Sequence, residues 1–486
     1  MSTQKPQLLP VPNRLPTFWL SEPDPSLENA RTTDELPPSV DVVIIGSGMS
    51  GAITAYHLFK GQDDASPSIL MLEAAETCSG ATARNGGHCK PMTYYGFEGF
   101  KTSLGTDAAN AIMDFEASHL QHYIDLVTAE DIDCDMHATR ACDVYYGTDE
   151  AMAQKRNFKT RQAEHPEFVN VKGDMREIED VEELEKISGV KDGKWGVTFP
   201  AGHFWPYKLA THLIRSCVAK GLNLQTHTPV QSIQQSDKEG YWNVQTPRGQ
   251  ITAKSVVVAT NAYTSGILPE FSTRIIPVRG TVCSITPAPS HTIGSSPGPL
   301  KFTYGLRSNP GENDYIICRG GRGRVPGVGD HSIILGGAHR AVLKDVDAWY
   351  NNIRDDEYIP GAKEYFANYM KDHFVGWSSE TGNVDQVWSG VLGYSADLLP
   401  YVGEHPEKAG VFVLAGYTGH GMPRIPKCGE AIATLVKSRH RTGTITAEAR
   451  DKFSEIIPTP YFLTQERLDS RKNAILPATK KDNVTI

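Results

Sequence analysis

"DVVIIGSGMSGAITAYHLFK", residues 41–60, reads as a strand, a glycine turn and a helix. Val42–Ile45 is an unbroken apolar run, as expected of a strand buried on both faces. Gly46, Gly48 and Gly51 follow it with the spacing G-x-G-x-x-G. Gly46 permits the tight turn, Gly48 lets backbone approach a pyrophosphate, and Gly51 lets the helix pack closely on the strand. The helix start offers unbonded N–H groups and a partial positive charge. A second strand, "SILMLEA" at residues 68–74, closes a parallel βαβ unit. Glu73 ends that strand, where a carboxylate suits a ribose diol and disfavours a 2′-phosphate. The unit is spaced to hold a dinucleotide, with Ser47, Met49, Ser50 and Ala74 completing the cradle.

The next stretch indicates which dinucleotide. "CSGATARNGGH", residues 78–88, is a second glycine-rich loop directly after the second strand. A nicotinamide enzyme has no evident use for it. A flavin enzyme must also hold the ribityl arm and the ring. Ser79, Thr82, Arg84 and Asn85 supply donors, and Gly80, Ala81, Gly86 and Gly87 allow close approach.

These two loops together resemble the amine and D-amino-acid oxidase (DAO) superfamily of FAD enzymes. Within it they are most similar to the group containing gamma-glutamylputrescine oxidase and many fungal FAD-dependent oxidoreductases. The resemblance continues in order through residues 226–233, 256–264, 276–282, 388–403 and 414–422. It implies cofactor contacts at Val230 on the adenine side, at Ala259, Thr260 and Asn261, and at Gly419, His420, Gly421 and Met422 near the flavin ring. The expected fold is α/β, a Rossmann-like FAD-binding domain with a second α+β substrate domain built on an antiparallel sheet. Residues 275–345, short apolar runs broken by Gly and Pro, read as that sheet. The expected division is an N-terminal arm at 1–37, FAD-binding segments at 38–105, 196–272 and 386–445, substrate-domain segments at 106–195 and 273–385, and a C-terminal tail at 446–486. The arm reads as Pro-rich chain packed on the surface.

Composition narrows the class. The chain has 486 residues and a formal charge of -9, so no basic footprint for nucleic acid is present. Eight cysteines are scattered without a CxxC pair, which reads as reduced thiols. There is no apolar run long enough for a bilayer, no secretory signal and no retention signal in "NVTI", so no membrane partner is expected and the cytoplasm is the expected location. No His/Asp/Glu group has metal-ligand spacing, and no metal is expected.

The chemistry expected is amine oxidation. Amino-acid oxidases of the resembled superfamily carry an arginine that clamps the substrate carboxylate through two parallel bonds. Aligned on Asp397 and Pro400, this chain has Leu392 there. Arg319 could replace it from a neighbouring strand, which leaves an FAD oxidase or dehydrogenase of an amino or 2-hydroxy acid as the alternative. The flavin-linking positions of sarcosine-oxidase-type and dimethylglycine-type relatives fall at about Gly390 and at Arg84, so FAD is expected to be non-covalent. Trp205, Tyr304 and Trp388, with Tyr94, Tyr95 and Tyr394, are the aromatics expected to wall the pocket. His88, His203, His420 and Tyr394 are the candidate catalytic side chains. The expected reaction moves a hydride from a primary or secondary amine to flavin N5, gives an imine that hydrolyses, and ends with oxygen reduced to hydrogen peroxide.

Overall fold

Two sheets organise the chain. The computed structural model describes residues 8–476 except 62, 64–65, 170–174, 292–299 and 320–330. The ends of the expected arm and tail, residues 1–7 and 477–486, therefore lie outside the described residues.

The first sheet has eight strands, with Ser39–Ile45 at its centre. Ile69–Leu72 and Gly249–Val258 flank it in parallel, with Val43 level with Leu70 and Val256. Ile69–Leu72 and the Val256–Val258 end of the other neighbour are buried, which is why these stretches read as continuous Val/Ile/Leu runs. Lys408–Ala415 adds in parallel beside Gly249–Val258. Helix Met49–Phe59 covers one face, packed by helices Pro206–Ala219 and Ile425–Thr442. A Cβ at Gly429 would lie 2.6 Å from Ile53 Cγ2, so this glycine sets how closely the last helix approaches the first. That helix stops at Gly443, which takes the left-handed conformation at φ +80° after a basic last turn.

Among the described residues the second sheet has nine strands, from Gly382–Ser395 across to His88–Cys89. Its pairs are antiparallel apart from Thr303–Asn309, which runs parallel to His137–Tyr145. The architecture is α/β with a second sheet-based lobe, as the sequence leads one to expect.

The chain crosses between sheets later than the expected boundaries at 195/196 and 385/386. Trp195–His203 pairs with His137–Tyr145 along its whole length, so it belongs to the second sheet. Gly382–Ser395 likewise pairs with Ile275–Pro287 throughout. Apolar alternation says that a segment is a strand but not which sheet it joins, and the crossings follow the strand ends instead.

The arm also departs from the surface role expected for it. Trp19 is 0% exposed, stands edge-on to Trp205, and is part of the main core. At the other end, Tyr461 is 0% exposed, and Arg467 grips Asp397 through both of its carboxylate oxygens. All eight cysteines are buried and unpaired. Among the described residues no helix is long and apolar enough to cross a membrane.

Candidate active site

The first glycine turn is built by backbone crowding. Gly46 sits at φ +105°, and a Cβ on it would meet Ala259 O at 2.7 Å. A Cβ on Gly51 would fall 2.0 Å from Gly46 O. Helix Met49–Phe59 starts at Gly48, which has no side chain to bond the first amides. Thr82 Oγ1, from the second glycine-rich loop, accepts from Met49 N at 2.9 Å. A Cβ on Gly48 would press on the same oxygen at 3.2 Å. Glu73 accepts from Ser47 N at 3.0 Å, from Ser47 Oγ at 2.6 Å and from Ala75 N at 3.0 Å, which holds its carboxylate beside the turn. A surface-accessible glycine cradle, an uncapped helix start and a fixed carboxylate fit the diphosphate and ribose of FAD.

The second loop is clamped from three directions. Arg84 is 3% exposed and donates to Leu15 O, at 2.8 Å, and Ser389 O, at 2.9 Å, while its Nε lies 3.2 Å from Asp355. Its nitrogens are thus engaged by protein, and its expected contact with the cofactor gives way to a role in shaping the loop. Thr17 donates to Ala83 O, Trp19 to Asn85 O and Trp388 to Arg84 O. Arg14 holds Glu76 and Ser79. Asn85 turns inward, bonding Ala81 O, Thr82 O and Gly87 N, with its Nδ2 3.8 Å from Met422 Sδ. Gly86 and Gly87 have no room for a side chain, against the Tyr315 ring and the Phe204 carbonyl respectively.

Beyond the loop, the ring end of the site forms from distant segments. Asn261, at φ +45°, accepts from Gly416 N and so ties the strand end at Ala259 and Thr260 to the 416–422 turn. That turn carries Gly419, whose absent Cβ would sit 3.1 Å from Tyr394 Oη and 3.2 Å from Leu392 Cδ2. His88 Nε2 lies 2.8 Å from Thr303 Oγ1, with its ring 6.4 Å from Tyr315. His420 Nε2 lies 2.8 Å from Glu116 Oε2. His88, Tyr315, Leu392, Tyr394 and His420 therefore come together around the turn. Val230 is buried in the first-sheet core, away from this end.

Several expected pocket residues are elsewhere. Trp205, Tyr304 and Trp388 are 2%, 0% and 0% exposed, so they have no surface with which to wall a cleft. Tyr304 donates to Ser188 O inside the second-sheet core, and Trp205 donates to Trp19 O. Strand alternation explains Tyr304: Thr303 faces His88, so its neighbour faces away. Tyr94 is buried against Asp143 and Tyr145, and Tyr95 lies under the Arg307 guanidinium. Arg319 bonds Asp135 Oδ2 at 2.7 Å and lies over the rings of Phe18 and Trp205, so a free carboxylate clamp is not what its surroundings make of it. His203 is 3% exposed, beside His137, and among the described residues its Nε2 has no hydrogen-bond partner.

Sequence spacing shows no metal cluster, yet folding brings donor atoms of His57, His122 and Glu430 within 4.8 Å on three helices. Lys60, Lys427 and Lys437 act on those histidines with a field that opposes a cation.

Burial holds His57 and His203 neutral, pushing each down to about 3 from 6.5. Unfolding restores the ordinary value, so the unfolded chain binds more protons between those limits. Their stability contribution is full above about pH 6.5 and is lost as pH falls toward 3. Thermal melts should therefore fall on acidification through about pH 6, and His57→Leu should flatten that slope. An unchanged slope rejects this account.

Comparisons with known proteins identify the family and the fold. A family model described as DAO, FAD dependent oxidoreductase, matches residues 41–435. The gamma-glutamylputrescine oxidoreductase of Escherichia coli (strain K12) is 23% identical over 434 residues, covering 87% of each chain. Among solved structures, glycine oxidase from Geobacillus kaustophilus is similar at a TM-score of 0.65 and 19% identity, covering 88% of this chain and 99% of that one. L-proline dehydrogenase from P. horikoshii gives 0.63 at 17% identity, covering 88% and 98%.

Proposed function

The chain belongs to the DAO family of FAD-dependent oxidoreductases, and from that premise we propose that it oxidises a C–N bond of a primary or secondary amine lacking an α-carboxylate. One observation carries the reading. Among the described residues around the cleft, every arginine already has a partner: Arg84 with Asp355, Arg307 with Asn313, Arg319 with Asp135, and Arg424 with Glu116. Leu392, beside Gly419, presents only hydrocarbon where a clamp would be useful. The similarity to the putrescine-type oxidoreductase points the same way.

FAD, held without a covalent link, supplies the two-electron acceptor. The turn residues Gly419, Gly421 and Met422 would hold its ring edge with backbone donors, while the His420 N–H braces the turn on Tyr417 O. Tyr315 and Tyr394 enclose the substrate in a site that excludes water and favours the neutral amine. His420 is the side chain best placed to receive its proton. Hydrolysis of the imine gives an aldehyde or ketone, and oxygen is the proposed final acceptor, giving hydrogen peroxide.

The test is anaerobic bleaching of the bound flavin across amines, α-amino acids and 2-hydroxy acids. Amines should bleach it and carboxylate substrates should not. Bleaching by the acids alone overturns the reading in favour of Arg319 exchanging Asp135 for a substrate carboxylate. Peroxide release in air, compared with turnover on an artificial acceptor, tests oxygen's part.

A further inference from the structure

We propose that Glu116 is a positioning residue that keeps the proton of neutral His420 on Nε2, leaving Nδ1 as the base that takes the proton of the substrate's ammonium group. The inference rests on the amine reading above.

Glu116 comes from helix Thr106–Ala117, far in sequence from the turn it meets. It is 1% exposed. Each carboxylate oxygen has its own cationic or cationisable neighbour: Oε1 accepts from Arg424 Nε at 2.7 Å, and Oε2 faces His420 Nε2 at 2.8 Å. Oε2 also accepts from Met92 N at 2.7 Å. Burial alone would push this carboxyl up, but protonated His420, Arg424 and the Met92 amide outweigh it and hold it down at about 2, and Arg424 and the Met92 amide still favour the carboxylate when His420 is neutral. Across neutral pH the group is therefore an acceptor only, and an imidazole nitrogen facing it must carry the hydrogen.

His420 is anchored at its backbone as well, with its N–H on Tyr417 O at 2.9 Å. Its side chain is 33% exposed, so it keeps contact with solvent. Nδ1 has no partner among the described residues. The charged and titratable groups around the turn are Glu116 from the helix, Arg424 from the start of the following helix, His88 from the end of the second glycine-rich loop, and Tyr394 from the long strand beside Gly419. Glu116 is placed to stabilise the ring once the proton has arrived, as a carboxylate does for an adjacent cation. The proton balance is simple. The ammonium N–H bond breaks, the proton bonds to Nδ1, the amine keeps its lone pair for oxidation, and the proton leaves through the exposed edge of the ring.

The experiment uses the FAD-loaded protein with histidine labelled for NMR, together with anaerobic bleaching by an amine across pH. Wild type should show neutral His420 protonated on Nε2. Glu116→Gln should lose that preference, shift the acid limb of the bleaching rate down by about one unit, and lower its plateau about tenfold. Glu116→Asp should restore part of both. His420→Gln should remove the limb. A neutral proton on Nδ1 in wild type overturns the proposal. So does a limb that stays in place while rate and flavin content fall together, because that is what a merely structural carboxylate would produce. If no amine bleaches the flavin, the amine reading and the base role fall together. The tautomer measurement then still decides whether Glu116 positions His420.

Discussion

Gly51→Ala is expected to purify without flavin colour and to melt well below the parent. The added methyl would stand 2.0 Å from Gly46 O and 3.1 Å from its carbonyl carbon. Both are backbone atoms, and the turn that carries them is itself wedged against Ala259 O. No rotamer change can relieve the clash. The helix must lift from the strand end, which spreads the turn that meets the diphosphate. Overpacking a tight core usually costs about 1–3 kcal/mol, and a collision with backbone belongs at the upper end of that range. Gly99→Ala is the control, since nothing lies within 4 Å of its Cβ position and it sits in helix Phe97–Leu104. That variant should stay coloured and match or slightly exceed parental stability. Thermal melts and visible absorbance of the pair decide the matter. A coloured Gly51→Ala with parental melting would reject the crowding argument.

Arg84→Ala should lose about 3–5 kcal/mol of stability, the usual consequence of stranding one member of a buried ion pair. Asp355, 2% exposed and already pushed up by burial, would lose the guanidinium that favours its charge, and among the described residues its Oδ1 has no hydrogen bond. The carbonyls of Leu15 and Ser389 would lose their donor as well. Lysine should not rescue, because a single ammonium cannot reach three directions at once. Arg84→Met with Asp355→Asn should recover much of the loss, because no buried charge is then left unpaired. Denaturant unfolding of the three variants, with FAD content measured alongside, separates two roles for this arginine. A variant as stable as the parent but colourless would mean that the guanidinium touches the cofactor itself.

How far the sequence could be read follows from the range of each interaction. Gly46, Gly48, Gly51 and Glu73 were legible because their work is local and their spacing is fixed by one βαβ unit. The second loop was legible as a loop, but the partners of Arg84 were not, since Leu15 and Ser389 have no spacing relation to it. Glu116 and Tyr315 left no signal at all. Glu116 meets His420 across 304 residues, and a lone glutamate in an amphipathic helix looks like an ordinary polar face. Tyr304 and Trp388 were expected at the pocket because aromatics line pockets. Strand alternation would have turned them inward, had the register been known. Trp19 was hidden by its Pro-rich surroundings, which suggest loose chain, although proline stiffens a segment and lowers the entropy cost of laying it against a core.

The latch formed by Arg14, Leu15, Thr17 and Trp19 has a consequence for biosynthesis. These residues are made before the seat they occupy, which includes Arg84, itself oriented by Ser389, a residue made 305 positions later. Newly made chain must wait, with its aromatic segment undocked, until Ser389 has emerged. Loading of the coenzyme is then a late maturation event, and a bulky fusion placed ahead of residue 8 would interfere with maturation more than with the finished enzyme.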